Sequence, residues 1–387
     1  MTTLNEFVEQ LKTKIDIADI IGNYTEVSSS GSRLVGLCPF HGEDNPSLVI
    51  YKDSQSYYCF GCHQGGDAIA FISDIEGWEF IEIIEYLAQV AGMEIPEEVY
   101  SADYQEAKKL REEIIKQNRE YYKNLKKNTD AMKYLADRGI TKEEIDKFRL
   151  GYATQGKEAN SIAISIMDTK GHAVGFGYRA LEPGEGVPKY RNSLESALFK
   201  KRSLLYGLNL VRKSIKEHKY VILVEGYFDV ISLQRMGLPA VGIMGTTISK
   251  EQAELIKKYT DTAMLFLDGD SPGVRAVHNS ISILRDNNII VKVIEPLNNM
   301  DPDEMVKHMG ETIVGYIKSN ACMAGQYMVS GILKKYQSQV TEANLRVLNE
   351  LKEMLNSITT DAERMIYIQQ VAASLHIPVD TVIRAVR

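Results

Sequence analysis

Between residues 219 and 294, short apolar runs alternate with helical stretches: YVILVEG, DVISLQRMG, AVGIMG, SKEQAELIKKY, AMLFLDGD, GVRAVHNSISILRD and IIVKVIEP. Strands that alternate with helices form βαβ units, so this segment predicts a mainly parallel sheet covered by helices. In an open parallel sheet, ligands bind beyond the carboxyl ends of the strands. Acidic residues follow three of those ends. Glu225 closes YVILVEG, with Asp229 soon after; Asp268 and Asp270 close AMLFLDGD; Asp301 and Asp303 lie in NNMDPDEM, shortly after IIVKVIEP. A single Asp-Gly-Asp reads as a surface turn, because Asp and Gly are good turn formers. Three acidic ends on one edge of a sheet read instead as a convergent site. Clustered carboxylates repel one another, and Mg²⁺ offsets the repulsion using few carboxylates, with water and substrate phosphates as its other ligands. Gly226 and Gly269 keep side chains away from the backbone beside these acids.

The rest of the chain sets the frame. Its 387 residues allow two to three domains, and 44% hydrophobic with 25% charged residues is an ordinary globular composition. No run of eighteen or more apolar residues exists to span a membrane. The N-terminus lacks the apolar stretch of a secretory signal, which predicts a reducing cytoplasm. Residues 4 to 21 carry apolar positions at helical spacing and read as one helix. RLVGL, SLVIY and SYYCF read as strands, GDAIAFISDIEG and EFIEIIEYLAQVAGM as helices, and the segment from 160 as a small β-rich unit. After 318 the pattern is wholly helical. The expected division is 1–100, a linker or helix over 101–120, then 121–215, 216–315 and 316–387.

Cys38 and His41 are separated by two residues, as are Cys59 and Cys62, and 17 residues lie between the pairs. This spacing fits a tetrahedral Cys3His zinc site with no position open for water, hence a structural one. His63 is a rival ligand beside Cys62. Phe40, Tyr57, Tyr58 and Phe60 could stack unpaired bases or simply pack a small metal domain. Cys322 stands apart and is given no role.

The net charge of −7 argues against a uniformly basic surface. Even so, Arg179, Lys189, Arg191, Lys200, Lys201, Arg202, Arg212 and Lys213 fall within 179–213, opposed by Glu182, Glu185 and Glu195. Such a local track can follow a nucleic-acid backbone; a solvated charged face is the alternative.

These segments together resemble one family. GLCPFHGEDNPSLVI and YYCFGCHQGGDAIAFI are similar to the zinc-binding domain of bacterial DnaG-type primases. GFGYRAL and VPKYRNSLESALFKKRSLLYGL resemble the ridge of the primase polymerase domain that binds template and nucleotide. YLADRGITKEEIDKFRLGYA extends the likeness ahead of it. Glu225-Gly226-Tyr227-Phe228-Asp229, GIMGTT and FLDGDSPGVRA, in that order, resemble the Toprim signature shared by primases, type IA and II topoisomerases and some nucleases.

The resemblance implies a multi-domain α/β protein. It would have an N-terminal zinc-ribbon-like domain, a central Toprim polymerase domain with a Rossmann-like parallel sheet, and a C-terminal helical bundle. Function would be that of a DNA primase, a DNA-directed RNA polymerase making short RNA primers on single-stranded DNA. A Toprim nuclease and a non-catalytic zinc-containing adaptor are the alternatives. Arg179, Lys189, Asn192, Ser193 and Lys200 would bind DNA or nucleotide. Lys201 and Arg202 are weaker candidates, because neighbours in one element cannot all face one groove. Cys38, His41, Cys59 and Cys62 would hold zinc, while Glu225, Asp268 and Asp270 would hold catalytic Mg²⁺ or Mn²⁺. Asp229, Asp301 and Asp303 would support them or hold a second ion. The expected partners are single-stranded DNA, ribonucleoside triphosphates and a replicative helicase. The family's usual helicase-docking module is missing after ASLHIPVDTVIRAVR, which suggests a compact primase of a phage or other mobile element, acting in its host's cytoplasm.

Overall fold

The computed structural model describes residues 3–31, 33–76, 78, 80–268, 271–336, 342–356, 358 and 361–386. Two units emerge, residues 1–109 and 110–387. The division falls inside the helix Ala102–Lys127, within the 101–120 segment that sequence reading gave as a linker or helix. The first turns of that helix are bound to the first unit. Tyr104 donates its hydroxyl to Glu85 at 2.6 Å, and Lys108 lies 3.5 Å from the same carboxylate and over the ring of Tyr100.

The first unit opens with two helices rather than the single helix its periodicity predicts, Leu4–Lys12 and Ile17–Gly22. Asp16 causes the break: its extended backbone and its side chain, which accepts from the Ala18 amide, start a new helix. A five-stranded antiparallel sheet follows in sequential order, from Val27–Ser30 to Gly65–Gly66. Helices Ala68–Glu76 and Phe80–Val90 bury Phe71, Ile72, Ile83, Ile84 and Leu87 with Leu48, Ile50 and Tyr57 of the sheet.

The second unit contains two sheets. One is antiparallel: Leu150–Ala153, Ser161–Met167, Ala173–Ala180 and Tyr190–Asn192 in sequential order. The other has the order Ala240–Gly242, Val221–Val224, Thr262–Leu265, Ile290–Ile294, Ala321–Met323. Its first four strands are parallel, as predicted, and almost wholly apolar, because helices cover both faces. Ala321–Met323 is antiparallel and falls where the sequence pattern reads as helix only; three residues are too few to show a strand period. Beyond it lie the helices Ala324–Tyr336, Glu342–Asn356, Asp361–Leu375 and Val379–Val386, joined around Leu351, Leu355, Val371 and Val382. Among the described residues, no helix is long and apolar enough to cross a membrane.

Candidate active site and metal centre

In the first unit, the hairpin geometry of its sheet brings Cys38, His41, Cys59 and Cys62 together. One ligand atom from each lies within 4.8 Å of all the others, and no other such group of three or more is found among the described residues. An ion about 2.3 Å from each sulfur at tetrahedral angles sets sulfurs about 3.8 Å apart. Cys38 Sγ and Cys62 Sγ are 3.7 Å apart, and Cys59 Sγ is 3.9 Å from His41 Nδ1, so the quartet fits zinc. With Nδ1 facing the sulfur, His41 Nε2 carries the hydrogen and meets Glu43 Oε2 at 3.1 Å. Glu43 Oε1 also accepts the amides of Cys38 at 2.6 Å and Ser47 at 3.2 Å, fixing the loop that presents the first two ligands.

The two buried thiols are driven in opposite directions. Burial pushes Cys38 up to about 12. Burial also raises Cys59, but the Ser47 hydroxyl and the Cys62 and Gly61 amides outweigh it and bring the thiol down to about 6. Gly61 has a steric role too, since a Cβ there would lie 2.5 Å from His41 Nε2. His63 stands outside the quartet, its Nδ1 3.1 Å from the Tyr58 hydroxyl. Of the four aromatic residues, Tyr57 is 2% exposed and stacks on Phe40 in the core, whereas Phe60 is 58% exposed with Tyr58 edge-on to it.

In the second unit, Val221–Val224 pairs with Ala240–Gly242 on one side and Thr262–Leu265 on the other. The strand order therefore reverses between Val221–Val224 and Thr262–Leu265, the topological switch point at which such sheets bind ligands. Glu225 leaves the first of these strands and Asp268 follows the second. Asp270 lies outside the described residues. Asp229 sits in the first turn of the helix Tyr227–Arg235 and is 7% exposed. Its Oδ2 accepts the Gly226 amide at 3.0 Å. Burial, and then the nearby Asp301 and Asp268, push its carboxyl up to about 8. Asp301 caps the helix Pro302–Met309, accepting the Glu304 amide at 2.7 Å, and burial raises it as well. Asp303 differs from the rest. It is 1% exposed and accepts from Ser232 at 2.5 Å, Arg138 at 2.7 Å and Lys307 at 3.0 Å.

A cleft of about 310 Å³ opens over this switch point, with Glu225, Asp229, Asp268 and Asp301 facing Arg138, Lys189 and Asn192. Of the basic candidates, Lys189 and Asn192 line this cleft; the others do not. Asn192 accepts the Tyr227 hydroxyl on its amide oxygen at 2.5 Å, which leaves its NH₂ as a donor. Tyr227 is seated by Gly177, where a Cβ would come within 2.4 Å of its ring. Ser193 bonds strand to strand through Phe176, and Lys200 is exposed and not among the residues lining the cleft. Arg179, read as part of an open track, is only 8% exposed. Lys201, ranked lower in sequence, points its ammonium at Gly245 in the cleft wall, 3.6 Å from where a Cβ would be. Arg138 and Tyr134 were not singled out in sequence. Their only signal there was their place in YLADRGITKEE, far along the chain from Asp303, which Arg138 meets, and from Arg179, which Tyr134 meets.

Three family models match the chain: the CHC2 zinc finger over residues 3–103, the N-terminal domain of the DNA primase catalytic core over 120–162 and 159–212, and a Toprim-like model over 222–306. The DNA primase of Borreliella burgdorferi is 32% identical over 421 residues, covering 97% of this chain and 80% of the relative. Among eight such primases, the share of the relative's length spanned by this chain runs from 57% to 80%. The crystal structure of the Aquifex aeolicus primase zinc-binding and RNA polymerase domains is 28% identical, covers 98% of this chain and 99% of that one, and superposes with a TM-score of 0.62. A DnaG primase catalytic domain bound to single-stranded DNA shares the fold over 70% of this chain, at 23% identity and a TM-score of 0.58.

Proposed function

The chain belongs to the DnaG-type DNA primases, DNA-directed RNA polymerases that make short primers on single-stranded DNA, and we propose that it joins ribonucleotides at the Glu225–Asp268 switch point. One observation supports this most: the acids of the parallel sheet and the polar residues of the antiparallel sheet face each other across one cleft. The donor set fits a divalent cation, since burial raises both Asp229 and Asp301 and the neighbouring Asp301 and Asp268 raise Asp229 further, a cost that a bound ion offsets. Glu225, Asp268 and Asp270 would hold such an ion, with Asp229 and Asp301 beside them. When bound, it supplies Lewis acidity for a 3′-hydroxyl attacking a phosphate.

The chain's own groups do the positioning. Lys189 and Arg138 place positive charge where the nucleotide's phosphates enter. Asn192 offers an amide donor oriented by Tyr227. Asp303 is assigned to support, because its oxygens already serve Ser232, Arg138 and Lys307. Cys38, His41, Cys59 and Cys62 would hold zinc and shape the first unit, where exposed Phe60 offers a face to an unpaired base.

The test is incubation with ribonucleotides, Mg²⁺ and a mixed single-stranded template. Short RNA products are expected, and Asp268→Asn should abolish them while DNA binding persists. Template shortening without RNA would identify a nuclease instead. Synthesis surviving in Asp268→Asn would overturn the metal assignment.

A further inference from the structure

The helix Lys250–Lys257 starts on a capping box: Ser249 Oγ accepts the Gln252 amide at 3.0 Å, and Gln252 Oε1 accepts the Ser249 amide at 3.0 Å. Glu or Gln serves that purpose equally, because only a side-chain oxygen is needed. The other half of the Gln252 side chain has a separate use. Its Nε2 donates to the Leu204 carbonyl at 2.7 Å and the Ile243 carbonyl at 3.1 Å, with the Lys201 carbonyl at 3.4 Å. Three carbonyls around one atom identify it as the amide nitrogen, since none of them can donate. Ser249 adds a further tie, its hydroxyl donating to the Arg202 carbonyl at 2.5 Å. Gln252 is 2% exposed, so water does not compete for these carbonyls.

One of the two segments so joined leads into the cleft wall, and the other stands against it. Ile243 is followed by Met244, whose φ of 56° is left-handed, and Met244, Gly245 and Thr246 line the cleft. A non-glycine residue keeps such a backbone only where its surroundings fix it. The turn Lys201–Ser203 meets this loop, with the Lys201 ammonium 3.6 Å from where a Gly245 Cβ would be. We propose that Gln252 is a positioning residue that locks the Lys201–Leu204 turn onto the Ile243–Thr246 loop, and so sets where the Lys201 ammonium stands. A glutamate at this position would keep the helix cap but turn a carboxylate on the three carbonyls, so the lock requires the carboxamide. The proposal rests on the primer-synthesis reading for the ligand that enters the cleft, a ribonucleoside triphosphate, and not for the lock itself.

Gln252→Met keeps the length of the side chain and removes its polar atoms. With template saturating, the KM for ribonucleotides should rise roughly tenfold, what one buried hydrogen bond is worth at its upper end, and kcat should move far less. A role in folding alone would reduce the active fraction, which lowers kcat and leaves KM unmoved; that result overturns the proposal. Gln252→Glu retains the cap and should give the same KM rise, whereas a wild-type KM there would reduce Gln252 to a helix cap. In a Lys201→Ala background either change should add about twofold at most, because its effect passes through that ammonium, and full additivity would count against the lock. If neither variant folds, Ser249→Ala, which drops the tie to Arg202, should show a smaller KM rise, and no rise would refute the lock. Amide hydrogen exchange supplies a readout apart from synthesis. The Leu204 and Tyr206 amides, which donate to the Lys201 and Gly242 carbonyls, should lose protection together in Gln252→Met. Loss confined to the first turn of Lys250–Lys257 would overturn the proposal. Wild-type protein that makes no RNA would sink the primase reading, and the exchange result would still decide the lock.

Discussion

Asp229 and Asp303 meet through the backbone: Asp229 Oδ1 accepts the Asp303 amide at 3.1 Å, linking the helices that follow two different strands. The accepting carboxyl is buried and raised from 3.8 to about 8. Between these values the unfolded chain releases a proton that the folded chain keeps. The stabilisation is therefore complete below the lower value and is lost as pH rises through the window. Metal-free protein should lose stability from about pH 4 to pH 8, and Asp229→Asn should flatten that slope. Mg²⁺ should restore stability at the upper end, because cation binding displaces the proton. Urea unfolding in chelator at several pH values checks this; an unchanged slope in Asp229→Asn would refute it.

Arg138→Met leaves Asp303 with Lys307 as its one remaining cation among the described residues. The 1% exposed carboxylate should then cost about 2–3 kcal/mol of stability, less than breaking a buried pair outright. Adding Asp303→Asn should recover part of that loss, which a double-mutant cycle in denaturant would measure.

Glu43→Gln removes the carboxylate 3.1 Å from His41 Nε2 without touching a ligand. Zinc affinity should fall roughly 10–100-fold, measured by competition with a coloured chelator. Equal affinity in both proteins would mean that Glu43 only shapes the loop.

Phe60→Ala should weaken single-stranded DNA binding by about 1–3 kcal/mol with zinc stoichiometry and melting temperature unmoved, since its ring is 58% exposed. Tyr57→Ala, at 2% exposure, should instead destabilise the first unit by about 3–5 kcal/mol. Anisotropy titration and thermal melts distinguish the two outcomes.

The acids lining the cleft drew notice in the sequence because they come shortly after apolar runs that read as buried strands. The zinc ligands could be read because their spacing is local. Arg138 could not, since its partner Asp303 lies 165 residues away and helical periodicity says nothing of such distances. The burial of Arg179 was hidden for a related reason: a charge count along the chain cannot tell a solvated arginine from one sealed over Tyr190 and bonded to Tyr134. The break at Asp16 was hidden by Ile15 and Ile17, which continue the apolar rhythm across a capping residue.

The short antiparallel strand Ala321–Met323 covers the outer side of Ile290–Ile294. Without it, five residues of a β-rich strand would present their free amides and carbonyls to solvent, a template for pairing with another copy. Three residues are too short to propagate such pairing themselves. A chain cut after residue 320 would thus lose its guard against sticking to itself, and aggregation rather than loss of catalytic groups would be its first defect.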